Sequence, residues 1–270
     1  MNEPTSSDGD AARLPRKGLY VLPNAISLAA LFAAFYAIVM AMNGRFEAAV
    51  YGIFASAVLD SLDGRVARMT RTQSAFGEQM DSMCDMVSFG AAPALIVYEW
   101  ALRDLGRWGW LPAFVYIAGA ALRLARFNTN IGVVDKRYFQ GLPSPAAAAL
   151  VMGLIWVADD AGLRGVTRID WLAWTAFGVT LYAGLTMVSN APFYSFKDLS
   201  FRRSVPFIVI VAIALAIAVI NIHPPTVLFA LFVAYGLSGY AVYGWKRSKG
   251  RPVSLIATST DEPDEEGLHH

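Results

Sequence analysis

The sequence predicts an all-α integral membrane protein of about eight transmembrane helices. Three observations carry that expectation. Of the 270 residues, 56% are hydrophobic and only 16% are charged, against roughly 25% charged in an average soluble domain. The charges gather at the two ends and in short patches between long apolar runs, the layout of a chain that crosses a bilayer repeatedly. Those runs show no polar–apolar alternation of the kind a membrane barrel needs, so helices are left as the structure that satisfies its own backbone in lipid.

The apolar runs fall at 19–42, 46–62, 83–102, 110–127, 144–159, 171–190, 205–221 and 225–245. The first comes after a polar segment, 1–18, that ends in Arg13, Arg16 and Lys17. It is too long for the apolar core of a signal peptide and has no cleavage pattern, so it reads as a retained helix. The fifth is the shortest. Pro206, Pro224 and Pro225 mark helix starts or turns around the last two. Residues 19–247 form the expected transmembrane domain. Residues 248–270 form a cytoplasmic tail whose acidic stretch, Thr258 to Glu266, reads as disordered.

Lysine and arginine placement orients the helices. With the N-terminus inside, the inside set is Arg13, Arg16, Lys17, Arg65, Arg68, Arg71, Arg123, Arg126, Lys136, Arg137, Lys197, Arg202, Arg203, Lys246, Arg247, Lys249 and Arg251. That is 17 of the 22 basic residues; Arg45, Arg103, Arg107, Arg164 and Arg168 are left outside. The asymmetry puts both termini in the cytoplasm. A net charge of +1 offers nothing for nucleic acid. Cys84 is the single cysteine, so no intrachain disulfide or cysteine-rich metal site exists, and its small side chain reads as helix packing. His269 and His270 at the chain end are set aside from metal arguments.

Chemistry concentrates at Asp60, Asp63, Asp81 and Asp85, at the cytoplasmic ends of the second and third runs. Spacings of i,i+3 and i,i+4 put each pair on one helix face. Acids beside a membrane segment cost a few kcal/mol each to bury and mark function by default. Hard oxygen ligands suit Mg²⁺ or Mn²⁺, and a pair of ions would relieve the repulsion of four carboxylates and suit phosphoryl chemistry. Gly64 lets a ligand approach the backbone, Ala67 keeps the helix surface low, and Arg68 can take a phosphate oxygen. Gly77 is expected to allow a tight turn before the third helix. The bland readings are helix caps and loop salt bridges, with Asp81 as an N-cap. An EF-hand lacks its loop ligands, and a ferritin-like site lacks histidine.

Written out, the segment is D-S-L-D-G-R-V-A-R, eight residues, then G-E-Q-M-D-S-M-C-D. It resembles the CDP-alcohol phosphotransferase signature D-x-x-D-G-x-x-A-R-x8-G-x3-D-x3-D at every fixed position: Asp60, Asp63, Gly64, Ala67, Arg68, Gly77, Asp81 and Asp85. Leu22-Pro23-Asn24, Asp85-Met86-Val87-Ser88-Phe89-Gly90, Arg123-Leu124-Ala125-Arg126-Phe127-Asn128 and Tyr138-Phe139-Gln140-Gly141-Leu142-Pro143-Ser144-Pro145 are similar to the membrane-embedded phosphatidylserine synthases of that family. The likeness covers roughly residues 19–160.

The resemblance implies a six-helix core with a cytoplasm-facing site, here followed by two C-terminal helices. It implies Asp60, Asp63, Asp81 and Asp85 as ligands for two divalent ions, Asp85 also as general base, and Asn24, Gly64 and Arg68 against the CDP moiety. It implies a homodimer in the inner membrane that converts CDP-diacylglycerol and L-serine to phosphatidylserine and CMP. Arg123 and Arg126 could hold the serine carboxylate, or serve as headgroup-level anchors. Asn128, Gln140 and Ser144 could read polar groups or cap helices. A sister enzyme acting on glycerol phosphate, inositol phosphate or choline is the alternative. A transporter would place its acids nearer the midplane.

The charge asymmetry makes a direct prediction. In a Cys84→Ser background, a cysteine at Arg137 should react with an impermeant thiol reagent only from the cytoplasmic side, and one at Arg164 only from the other. Labelling of the first from outside intact cells would reverse the topology.

Overall fold

A computed structural model describes residues 21–70, 74–129, 138–163, 170–195 and 207–249. The polar N-terminal segment, the Lys136–Arg137 loop, Pro206 and the acidic tail lie outside the described residues. Within the described residues, each of the eight apolar runs lies mainly on helix: α1 Val21–Met42, α2 Phe46–Thr70, α3 Ala75–Asp85, α4 Ala92–Trp100, α5 Trp110–Thr129, α6 Ser144–Asp160, α7 Asp170–Val188, α8 Phe207–Ile222 and α9 Pro224–Ser248. The third run is divided: a π-helical turn, Met86–Ala91, joins α3 to α4 with right-handed helical dihedrals at both junctions.

Among the described residues, four stretches are long and apolar enough to cross a bilayer: Leu22–Met42, Ala75–Trp100, Trp171–Val188 and Pro224–Trp245. A fifth exists if the 3₁₀ segment Leu102–Trp108 and α5, bent by 98° at their junction, act as one span. The described α6 and α8 have 17 and 16 residues, and the acids and arginines of its C-terminal half keep α2 out of the set. The membrane-protein character is therefore plain, while eight full spans are not established.

Two boundaries differ from the sequence expectation. The third helix starts at Ala75 rather than 83, because Ser74 caps it: its Oγ accepts from the Gly77 N–H at 3.0 Å. This replaces the reading of Asp81 as an N-cap. α2 runs on to Thr70, so Asp60 and Asp63 lie inside that helix instead of at its end, while Asp85 is the last residue of α3 before the π turn.

The α1–α2 hairpin positions the site. Gly44, with φ of 72°, makes the turn. Ala30, Ala34, Ala37 and Ala41 of α1 are buried against Ala49, Gly52 and Ser56 of α2. A Cβ on Gly52 would stand 2.9 Å from the Ala37 Cβ. Small residues let the backbones approach, which is how helices associate where lipid removes the hydrophobic drive. Ser56 Oγ then donates across the seam to the Ala30 carbonyl at 2.8 Å.

A two-stranded antiparallel ribbon was not expected: β1 Tyr138–Gln140 pairs with β2 Pro192–Tyr194. Gly141, with φ of 79°, comes directly after β1 and donates its N–H to the Ala191 carbonyl at 3.0 Å.

α5 and α7 cross at two glycines. A Cβ on Gly184 would lie 2.8 Å from Tyr116 Cα, and one on Gly119 would run into the Gly184 carbonyl. Gly178, on the same helix, has open space around it. Gly184→Val should therefore destabilise the protein by about 1–3 kcal/mol or more, read as a lower thermal midpoint in detergent, while Gly178→Ala leaves the midpoint unchanged or slightly raised. Equal behaviour of the two variants would contradict this crossing.

Candidate active site

α1 packs against both α2 and α3, which brings the motif acids of those two helices together. One carboxylate oxygen each from Asp60, Asp63 and Asp81 lie within 4.8 Å of one another. Asp63 is buried and accepts from Ser27 Oγ of α1 at 2.6 Å, which fixes its rotamer. Asp85 is one turn beyond Asp81 on α3, with its carboxyl adjacent to that of Asp60. Its Oδ1 is buried and has no partner. The structure thus groups three of the acids directly and joins the fourth through Asp60.

The donor set fits a hard divalent cation. All donors are carboxylate oxygens, and two oxygens on opposite sides of an ion with bonds of 2.0–2.1 Å stand about 4 Å apart, close to the spacing already present. The orphaned Asp85 oxygen adds a further donor beside Asp60.

A cavity of about 180 Å³ opens from this group, lined among others by Asn24, Ser27, Asp63, Gly64, Arg68 and Gly77. All three residues expected to meet the CDP moiety therefore line the same cavity. A Cβ on Gly64 would meet nothing closer than Arg68 Nη1 at 3.8 Å, so the glycine leaves the floor low beneath the guanidinium. Gly77 corrects the expectation of a tight turn. It lies inside the first turn of α3 without a positive φ. A Cβ there would stand 3.2 Å from Ser74 Oγ and 3.4 Å from Asn24 Oδ1, so its smallness protects the cap and the cavity wall.

A second polar group lies on the α5 side. Arg123 donates from Nη1 to Ser144 Oγ at 2.9 Å, and its charge interacts with that of Asp85. Its Nε is buried without a partner, as is Gln140 Oε1. Gln140 Nε2 and Arg126 Nη1 share the Asn190 Oδ1 acceptor, at 2.9 and 3.4 Å. Ser144 therefore meets an arginine instead of capping α6, where Pro143 holds the cap position. Asn128 is apart from these contacts, its Nδ2 donating to Ser82 Oγ of α3 at 3.0 Å.

The sequence reading missed Ser27, Ser74 and Asn190. Ser27 had a signal: it is the single serine or threonine of a largely apolar helix, one turn from Asn24. Asn190 had none beyond being polar at the end of an apolar run.

Residues 20–185 match the sequence profile of the CDP-alcohol phosphatidyltransferases. The chain belongs to that family. Its relatives include a protein of Helicobacter pylori named CDP-diacylglycerol–serine O-phosphatidyltransferase, 34% identical over 83% of this chain and 92% of that one. Proteins of the same name from Mycobacterium bovis and Methanocaldococcus jannaschii are 30% and 33% identical, over 80% and 70% of this chain and 76% and 82% of theirs. In this member of the CDP-alcohol phosphatidyltransferase family, Asn190, β2, α8 and α9 lie beyond the matched segment.

The carboxylate group predicts a metal phenotype. Asp60→Asn, Asp63→Asn and Asp81→Asn should each weaken Mn²⁺ binding, read by electron paramagnetic resonance of the titrated protein. Ser27→Ala should weaken it by about tenfold through loss of the Asp63 contact. Unchanged Mn²⁺ titrations in all three aspartate variants would remove the metal assignment.

Proposed function

We propose that this protein transfers the phosphatidyl group of CDP-diacylglycerol to the hydroxyl of L-serine, giving phosphatidylserine and CMP. The observation that carries the reading is the place of Asp85. It is near Asp60 and Asp81 of the acid group and near Arg123, with one buried oxygen left over. The names borne by the bacterial and archaeal relatives point the same way.

In this reading the CDP moiety lies in the cavity over Gly64, with Arg68 and Asn24 against it. Two divalent ions, Mg²⁺ or Mn²⁺, would be held by Asp60, Asp63, Asp81 and Asp85 and would neutralise charge on the diphosphate. Arg123, whose Nε lacks a partner, takes the serine carboxylate with Arg126 beside it. Gln140 Oε1, a buried acceptor without a donor, suits the serine ammonium. Ser144 orients Arg123, and Asn128 ties α5 to α3 through Ser82. Asp85 removes the hydroxyl proton. The serine oxygen bonds to the phosphorus that carries diacylglycerol, the bond from that phosphorus to the CMP oxygen breaks, and CMP leaves. Positioning and charge stabilisation supply most of the rate.

The lysine and arginine asymmetry supports a multi-pass protein of the cytoplasmic membrane, with its site and both termini on the cytoplasmic side. The family likeness supports a homodimer.

Purified protein given CDP-diacylglycerol should release CMP with L-serine and not with glycerol phosphate, inositol phosphate or choline. Release with one of those alone would make it a sister enzyme. Asp85→Asn should lower turnover by about 10² or more, with no recovery at high Mg²⁺ or Mn²⁺; full recovery would leave Asp85 as a ligand only. Arg68→Ala should raise the KM for CDP-diacylglycerol, and Arg123→Ala the KM for serine.

A further inference from the structure

Pro93 stands in the first turn of α4, four residues after Phe89. A regular α-helix would send the N–H of residue 93 to the Phe89 carbonyl. Proline has no N–H, and its ring crowds that carbonyl. The chain widens here instead: residues 86–91 form the π turn, and the Ala92 N–H donates to the Val87 carbonyl, five residues back. The Phe89 carbonyl is deprived of its ordinary donor in a fully buried setting. Tyr116 of α5, itself 0% exposed, supplies one: its hydroxyl donates to that carbonyl at 2.9 Å. Gly184 of α7 packs on the Tyr116 backbone, and Gly90 of the π turn packs on Ala120, one helical turn after Tyr116.

The π turn begins immediately after Asp85. One extra residue in a helical turn rotates everything before it by about 100° relative to everything after it. On the far side of the turn α4 is anchored, since its Ile96 and Val97 are fully buried. On the near side α3 carries Asp81 and Asp85. If the turn relaxed to α, the core of α4 and the carboxylates of α3 could not both stay where they are.

We propose that Tyr116 is a positioning residue for Asp85: with Pro93 it holds the π turn that phases the α3 carboxylates against the core-anchored α4. The proposal rests on the reading of Asp85 as the base, but its structural half is measurable without catalysis.

The test compares Tyr116→Phe, Pro93→Ala and the double variant in the full-length protein. Tyr116→Phe should lower kcat about tenfold or more, as a small displacement of a reacting group does, while the KM for CDP-diacylglycerol stays within about twofold. Amide hydrogen exchange over residues 86–94 should quicken. Pro93→Ala returns the missing N–H and removes the reason for the π turn, so it should also lower kcat. The double variant should be no worse than the poorer single, because both act on one element. Wild-type kcat in folded Tyr116→Phe, or fully additive losses, would overturn the proposal. If Tyr116→Phe does not fold, Pro93→Ala carries the test, and wild-type turnover in that variant overturns it. Turnover retained by Asp85→Asn would sink the base assignment alone, because exchange at 86–94 is read independently of it.

Discussion

Carboxylate oxygens of Asp60, Asp63 and Asp81 converge within 4.8 Å beside a helical interior that screens like charges poorly. Left alone, such a group would drive its helices apart. The surrounding structure holds it by close approach on every side. Gly52 and the alanine seam bring α1 against α2, which is what lets a hydroxyl on α1 reach Asp63. The Ser74 cap starts α3 early enough for Asp81 and Asp85 to fall on consecutive turns of one helix. Charge that repels in isolation becomes a reason for the site only where something positive fills it, so the packing and the chemistry are one constraint.

Arg123 adds the other half of the balance. It is a cation in the same interior, interacting with Asp85 and held by Ser144. An arginine there with its Nε unsatisfied would be a liability in a purely structural role. A planar donor left open toward an acid group is what an anionic substrate needs. The same side chain therefore offsets part of the acid charge and leaves a recognition surface.

How much of this was legible in the sequence depends on the range of the interaction. The helices came from runs of apolar residues, a local signal. The acid group came from i,i+3 and i,i+4 spacing within two neighbouring helices, nearly as local. Gly77 was misread because a glycine before a helix usually signals a turn; its actual neighbours are the Ser74 cap and the Asn24 side chain, the latter far back in the chain on α1. The ribbon was invisible because three-residue strands have no period to detect, and Tyr138 and Tyr194 meet only after α6 and α7 have folded between them. Asn190 becomes meaningful only through that pairing.

The ribbon also gives α9 a structural place. Phe193 of β2 is fully buried and faces Gly239, where any side chain would collide with its ring. Tyr235 donates to the Tyr194 carbonyl at 3.0 Å, Tyr182 of α7 donates to the Gly236 carbonyl at 2.8 Å, and Thr186 and Tyr240 hydroxyls meet at 3.0 Å. One face of α9 is thus locked to α7 and to β2. β2 in turn fixes Asn190, which binds both Gln140 and Arg126. The acid half of the site is built from α1 to α3, inside the family-matched segment. The arginine half is held from behind by a helix outside it, and Tyr235 of that helix lies near Arg123. A site whose two halves are anchored in different parts of the chain can keep its phosphate-binding face constant while the face that meets the acceptor alcohol varies with the helices that support it.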